Sequence, residues 1–190
     1  MRPLHDRNTA ACALTYADVL HWPLAIGHRF RRRAGCTCPK TTACPTPGAH
    51  PLPGPVTPLN AGSIADAFDQ TPGAGIIAPC DHFDAVTLPG PVGTALLLML
   101  DRFTVHAPSL ADLHGTVTVL VEPGTSHRLA ETCTDLVIHT GPTAWIALPP
   151  SHGIRWDTPP VPHRPLPHAL TLRPHLERVV TLARRAGERP

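Results

Sequence analysis

Three cysteines and a histidine fall within fifteen consecutive residues, as Cys36-Thr37-Cys38, Cys44 and His50, in the spacing C-x-C-x5-C-x5-H. Four soft or borderline ligands this close in sequence meet on one ion only if the chain between them closes into a loop. Zn²⁺ takes thiolate sulfur and imidazole nitrogen tetrahedrally, and a complete Cys₃His set leaves no open position for substrate. A structural zinc at Cys36, Cys38, Cys44 and His50 would hold a loop and do no chemistry. Free thiols are the second reading and a disulfide the third, the latter favoured only in an oxidising compartment. The remaining cysteines, Cys12, Cys80 and Cys133, stand singly in apolar stretches and read as small buried hydrophobes.

Met1 to Asn8 carries Arg2, His5, Asp6 and Arg7 with no apolar run behind it, so no secretory leader is expected and the cytoplasm is the default compartment. The longest apolar run, Ala95 to Leu100, is far shorter than the ~20 residues that cross a bilayer, so no membrane role follows. A chain of 190 residues with 42% apolar content can bury one core, and a single domain over residues 1–190 is expected. Its 25 prolines concentrate at 45–58 and at 149–167. These stretches mark loops, because proline lacks a backbone donor and fixes φ.

A net charge of +2 is too small to argue DNA binding from composition. The distribution says more: His28, Arg29, Arg31, Arg32 and Arg33 form a cationic block just before the cysteines, so residues 28–58 read as one arginine-rich and Cys/His metal loop. A solvated charge run is the plainer reading of the block. Contact with nucleic-acid phosphate through Arg29, Arg31, Arg32 and Arg33 is the alternative.

Apolar spacing places a helix from Thr9, as cap, to about Leu20, ended by Trp22-Pro23, and then a short strand at Leu24–Ile26. Ser63 caps a second helix, Ile64–Asp69, which Thr71-Pro72-Gly73 ends. Strands follow at Gly75–Ala78 and Phe83–Leu88. Pro91 opens a helix whose run Ala95–Leu100 is apolar all round, which predicts extensive burial. Thr116–Val121 is a β-branched strand and Ser126 caps a short helix carrying Leu129 and Ala130. Two further strands, Leu136–His139 and Ala144–Leu148, meet around Gly141-Pro142 in a hairpin-like connection. Pro174 starts a terminal helix over 174–186 with Leu176, Val179, Val180 and Leu182 facing the core. The pattern predicts an α+β layer.

The order of these landmarks resembles a known family. A helix ending in Trp22-Pro23, the cysteine segment closing in Pro47-Gly48-Ala49-His50-Pro51, the strand Phe83 to Pro89, the stretch Val119 to Thr125, and Trp145 to Ser151 followed by Arg155-Trp156 and Pro159-Pro160 together resemble the bifunctional DNA primase/polymerase amino-terminal (Prim-Pol) domain of actinobacterial proteins. The resemblance spans most of the chain. It implies an archaeo-eukaryotic primase-like fold, an RRM-like sheet flanked by helices, here with a zinc-pinned loop. It also implies a nucleotidyltransferase acting in replication on DNA or a primer-template and a nucleotide.

Active members of that family carry an acidic pair on the strand matching Phe83–Pro89, where two Mg²⁺ or Mn²⁺ ions bridge the triphosphate and the attacking oxygen. This chain offers Asp84 at the strand's start, but the paired carboxylates would fall on Thr87 and Pro89, which cannot replace them. The family's phosphate-contacting histidine has no counterpart inside Thr116–Val121, which holds Thr118 with His114 only before it. Asp135 is the nearest match to a third carboxylate. Asp84 and Asp135 are therefore the catalytic candidates, and a scaffold that has lost metal-ion catalysis is expected. The alternative is a zinc-containing interaction or regulatory module without nucleic-acid affinity.

Other chemistry finds thin support. Thirteen histidines include no H-E-x-x-H, and no serine lies in G-x-S-x-G. Trp145 and Trp156 read first as packing residues and second as platforms for stacked bases.

Overall fold

In the computed structural model, which describes residues 8–187, helices and antiparallel strands alternate irregularly. The charged residues Arg2, His5, Asp6 and Arg7 lie outside the described residues. The elements are α1 (Thr9–Asp18), β1 (Ala25–Arg31), β2 (Gly35–Cys36), α2 (Ile64–Gln70), β3 (Ala74–Leu88), α3 (Gly90–Arg102), β4 (Ser109–Ala111), β5 (Val117–Val121), β6 (Val137–Leu148), β7 (Arg155–Thr158) and α4 (Ala169–Gly187). The strand order is β2-β1-β3-β5-β4-β7, with β6 also paired to β3. The mixed α+β class expected from the sequence is present. No helix among the described residues is long and apolar enough to cross a membrane.

The chain divides into two compact units. One takes the residues up to His82 together with Pro142–Trp156. Here Asn8, not Thr9, caps α1, its side chain accepting the Ala11 amide at 3.1 Å. Helices α1 and α2 pack on each other and bury Tyr16, Ile64 and Phe68. The Tyr16 hydroxyl donates to the Pro149 carbonyl at 2.7 Å and accepts from Trp156 Nε1 at 2.8 Å. Burial pushes that phenol far above its ordinary range, so it stays neutral. Strand β1 pairs with β3 through Ala25–Ile77, Ile26–Ile76 and Arg29–Ala74, with a register irregularity between Ile26 and Arg29.

The other unit takes Phe83–Gly141 and the chain from Asp157. The second half of β3 pairs with β5 from Asp84–Val121 to Leu88–Val117, and β5 pairs with β4. Helices α3 and α4 pack together, and Leu88, Leu96, Leu100, Leu172 and Leu176 meet in one apolar core. At the start of α4 the Ala169 amide donates to Thr125 Oγ1 at 3.2 Å and the Leu170 amide to His168 Nδ1 at 3.1 Å. Those bonds satisfy donors that a helix start leaves unpaired.

Several boundaries differ from the sequence expectation. β3 is one strand of 15 residues, not two, because Pro79 tolerates an extended backbone and residues 74–80 are buried on both faces, with only Asp81 and His82 exposed midway. β6 likewise runs through Gly141-Pro142; Gly141 takes φ +77°, which the strand absorbs as a local irregularity. β1 runs into the arginine block as far as Arg31, and Arg32 and Arg33 lie in the turn that follows. Strands β2, β4 and β7 are short and carried no periodicity. Helix α3 buries only one face, Gly93, Leu96 and Leu100, and leaves Leu98 exposed at 68%. Helix α4 starts at Ala169, five residues before Pro174, because Ala169, Leu172 and Leu176 on one buried face outweigh the hydrogen bond that proline forfeits. Leu182, expected in the core, is exposed.

Candidate metal centre

Cys36, Cys38, Cys44 and His50 converge. The hairpin of β1 and β2 places Cys36 opposite Phe30, and the Thr37 amide continues the ladder to the Arg29 carbonyl at 2.9 Å. A 3-10 turn at Thr41–Ala43 then folds Cys44 back toward Cys38. His50 is fixed through its backbone: at the irregularity of β1 the His28 amide donates to the His50 carbonyl at 2.9 Å, and Gly27 bridges to Pro51. The approach needs a glycine, since a Cβ on Gly27 would lie 2.7 Å from the His50 oxygen. Gly48 serves the same loop with φ +73°, a conformation that side chains resist.

The four ligand atoms all lie within 4.8 Å of one another. His50 Nε2 is 3.3 Å from Cys36 Sγ and 3.4 Å from Cys44 Sγ. Metal–sulfur and metal–nitrogen bonds of about 2.3 and 2.0 Å at tetrahedral angles require edges of roughly 3.5 Å, so the side chains stand close to where one ion needs them. All three cysteines are free thiols. The group can hold a metal ion, with the imidazole using Nε2.

Backbone amides aim at the sulfurs. Gly48 N–H donates to Cys36 Sγ at 3.4 Å. Burial works against a Cys38 thiolate, but the amides of Lys40 and Thr41 and the neighbouring Cys36 and Cys44 sulfurs outweigh it and hold that thiol below its ordinary range. Burial dominates at Cys44 and raises its thiol, with the Thr46 amide opposing and the Cys38 and Cys36 sulfurs adding. Both Cys38 and Cys44 precede proline. Its fixed φ sets up the turn in which the amide two residues on points back at sulfur.

The cationic block separates into two parts. Arg31, Arg32 and Arg33 are exposed at the hairpin tip, which the Ala34 amide closes onto the Arg31 carbonyl at 3.0 Å. Arg29 is half-buried, its Nε enclosed without a hydrogen-bond partner. His28 is 7% exposed, its ring 4.5 Å from that of His50 and its Nδ1 3.1 Å from Thr37 Oγ1. Burial, then His50, lowers its pKa, so His28 is a neutral packing residue and not the cation the sequence suggested.

A cleft of about 500 Å³ opens beside the cluster, walled by Pro39, Pro45, Pro51 and Pro53 with Trp145 and Lys40. Cys38, Cys44 and His50 also border it. The two tryptophans singled out in the sequence thus part company: Trp156 is 5% exposed and bonded to Tyr16, whereas Trp145 is half-buried on this cleft.

In the other unit Asp84 is 1% exposed, its Oδ2 accepting the Ser126 amide at 3.0 Å and its Oδ1 the Thr140 hydroxyl at 2.6 Å. Asp135 is exposed in the loop before β6. Thr87 pairs with Thr118 through their hydroxyls at 2.8 Å, and Pro89 occupies the N-cap of α3. Among the described residues, the Cys/His group is where three or more metal-binding side chains gather.

Sequence reasoning named all four members of the cluster but missed the amide-to-sulfur turns, for which the repeated Cys-Pro was the signal. Comparison with protein-family profiles, with curated proteins and with solved structures finds no match for this chain.

Proposed function

We propose that Cys36, Cys38, Cys44 and His50 hold one structural Zn²⁺, and that the hairpin it pins binds nucleic-acid phosphate through Arg31, Arg32 and Arg33. The scaffold is a primase/polymerase-like (Prim-Pol) domain in a replication-related role, without two-metal nucleotidyl transfer. One observation carries this reading: three exposed arginines occupy the turn immediately before the first ligand, Cys36, so the ion that orders the loop also orders the cationic tip. Three thiolates and an imidazole are a donor set that suits zinc and matches hard, oxygen-seeking ions such as Mg²⁺ poorly.

The absence of catalysis is supported by the positions where acidic ligands would be needed. Thr87 and Pro89 offer no carboxylate, and both Asp84 oxygens are engaged within the protein. Two-metal phosphoryl transfer depends on charge that hard oxygen ligands collect.

Elemental analysis of chelator-free protein should return one zinc per chain. Affinity for single-stranded DNA or a primer-template should fall steeply with salt, and Arg31→Ala/Arg32→Ala/Arg33→Ala should reduce the log–log salt slope by roughly 2, from about 0.7 per phosphate contact. No retention by the zinc-loaded chain at low salt favours the interaction or regulatory module instead. Primer extension with Mg²⁺ or Mn²⁺ should give no product; incorporation overturns the non-catalytic part of the reading.

A further inference from the structure

We propose that the cleft beside the metal cluster is a nucleobase site: one unstacked base of a single strand seats against Trp145 between the proline walls, and Lys40 meets its flanking phosphate. This rests on the nucleic-acid reading above and gives it a location.

The chemistry of the cleft points that way. Its volume of about 500 Å³ lies within the range of small-ligand sites, which are mostly apolar with a few placed polar groups. Pro39, Pro45, Pro51 and Pro53 supply rigid apolar walls without backbone donors. Trp145 supplies an aromatic side chain, and stacking tolerates any base because every base has a π-face. Lys40, the chain's only lysine, is exposed at the rim. No described residue lining the cleft is a carboxylate, and the proposed Zn²⁺ offsets two of the three thiolate charges, which leaves Lys40 to meet the phosphodiester.

The cationic tip lies close by. The 3-10 turn that follows Lys40 packs on β2, and β2 begins two residues after Arg33. Arg33 is three residues from Cys36, hence at most about 10 Å from it along the chain. Arg31, Arg32, Arg33 and Lys40 therefore flank the same two ligands, Cys36 and Cys38. A strand with one base in the cleft meets Lys40 at the rim, with the arginine tip a short stretch of chain away.

The test uses the zinc-loaded full chain and two probes of equal length, an oligodeoxythymidylate and an abasic strand with the same backbone. Trp22 and Trp156 are 6% and 5% exposed, so Trp145 is the tryptophan a bound base can quench. The thymidylate strand should quench fluorescence and bind about tenfold tighter than the abasic strand, the size of one stacked base. Trp145→Ala should abolish that preference and Trp145→Phe keep most of it, while Lys40→Ala weakens both strands alike. Pro53→Phe, at an exposed wall position, should obstruct the cleft and remove the preference with zinc content unchanged, which separates occlusion from misfolding.

Equal binding of both strands, unaffected by Trp145→Ala or Pro53→Phe, overturns the base site and leaves the phosphate reading standing. Binding of neither strand overturns both. Quenching by a proline-rich peptide where the oligonucleotide gives none assigns the cleft to a protein partner and overturns the proposal.

Discussion

Between Thr37 and Gly62 only Cys38, Gly48 and Ala49 are buried, and the regular structure amounts to short 3-10 turns at Thr41–Ala43 and Ala61–Ser63. The core under α3 and α4 is the opposite case, with Leu88, Leu96, Leu100, Leu172 and Leu176 all at 3% exposure or less and valines filling between them. Ordering a residue costs about 1–2 kcal/mol of backbone entropy, and burial of apolar area offsets it at roughly 25 cal/mol per Å². The α3/α4 core has that area. The loop does not; four candidate metal ligands converge there, and the proposed ion would take the place of a core. With the proposed ion bound, one chain uses two kinds of stabilisation, one spread over many side chains and the other concentrated at a point.

Removing the concentrated one should have the largest effect. Structural zinc in small peptides contributes on the order of 10 kcal/mol or more of folding free energy near neutral pH. Chelation, or Cys44→Ser, should therefore strip amide protection from residues 36–58 in hydrogen exchange read by mass spectrometry, while α3 and α4 stay protected. Protection lost equally in both regions, or retained in the loop, breaks the contrast.

The reverse experiment is smaller and local. Leu172 is 1% exposed within the α3/α4 core. Leu172→Ala should cost about 2–5 kcal/mol in urea unfolding, from lost transfer energy and the cavity left behind, with zinc stoichiometry unchanged. A fall in bound zinc on this substitution would mean that the two regions are not independently held.

How far the sequence disclosed this contrast follows from what each region depends on. The Cys/His cluster was legible because Cys36, Cys38, Cys44 and His50 lie within fifteen residues, and thiols and imidazoles announce their chemistry locally. The α+β class was legible from β-branched strands such as Val117–Val121 and from the apolar stripe of α4. Where tertiary packing overrode local signals, the reading failed. Residues 79–82 fall between two expected strands and Gly141-Pro142 between two more, but both lie inside single long strands, and Pro174 looked like a helix start but lies within one. His28 looked cationic because its neighbours are, yet β1 turns it inward against His50. The cleft is built from four prolines and a tryptophan nearly a hundred residues away, and no local pattern signals such a meeting.

Asp84 gives the finest test, because it is the buried carboxylate in the unit that otherwise relies on apolar packing. Burial alone would raise its pKa, but the Thr140 hydroxyl and the Ser126 and Gly124 backbone amides prevail and hold it below the ordinary carboxylate value. A folded-state pKa below the unfolded value near 3.9 adds stability that is complete above the unfolded value and fades as pH falls through the folded one. Asp84→Asn should cost about 1–3 kcal/mol at neutral pH, since an amide turns an NH₂ toward one of those donors. The difference between the two proteins should be flat above about pH 5 and shrink only below about pH 4. Guanidine unfolding across that range reads it directly. A difference that instead changes between pH 6 and 8 would point to histidine linkage, and the Asp84 contacts would then not be what ties Ser126 and Thr140 to β3.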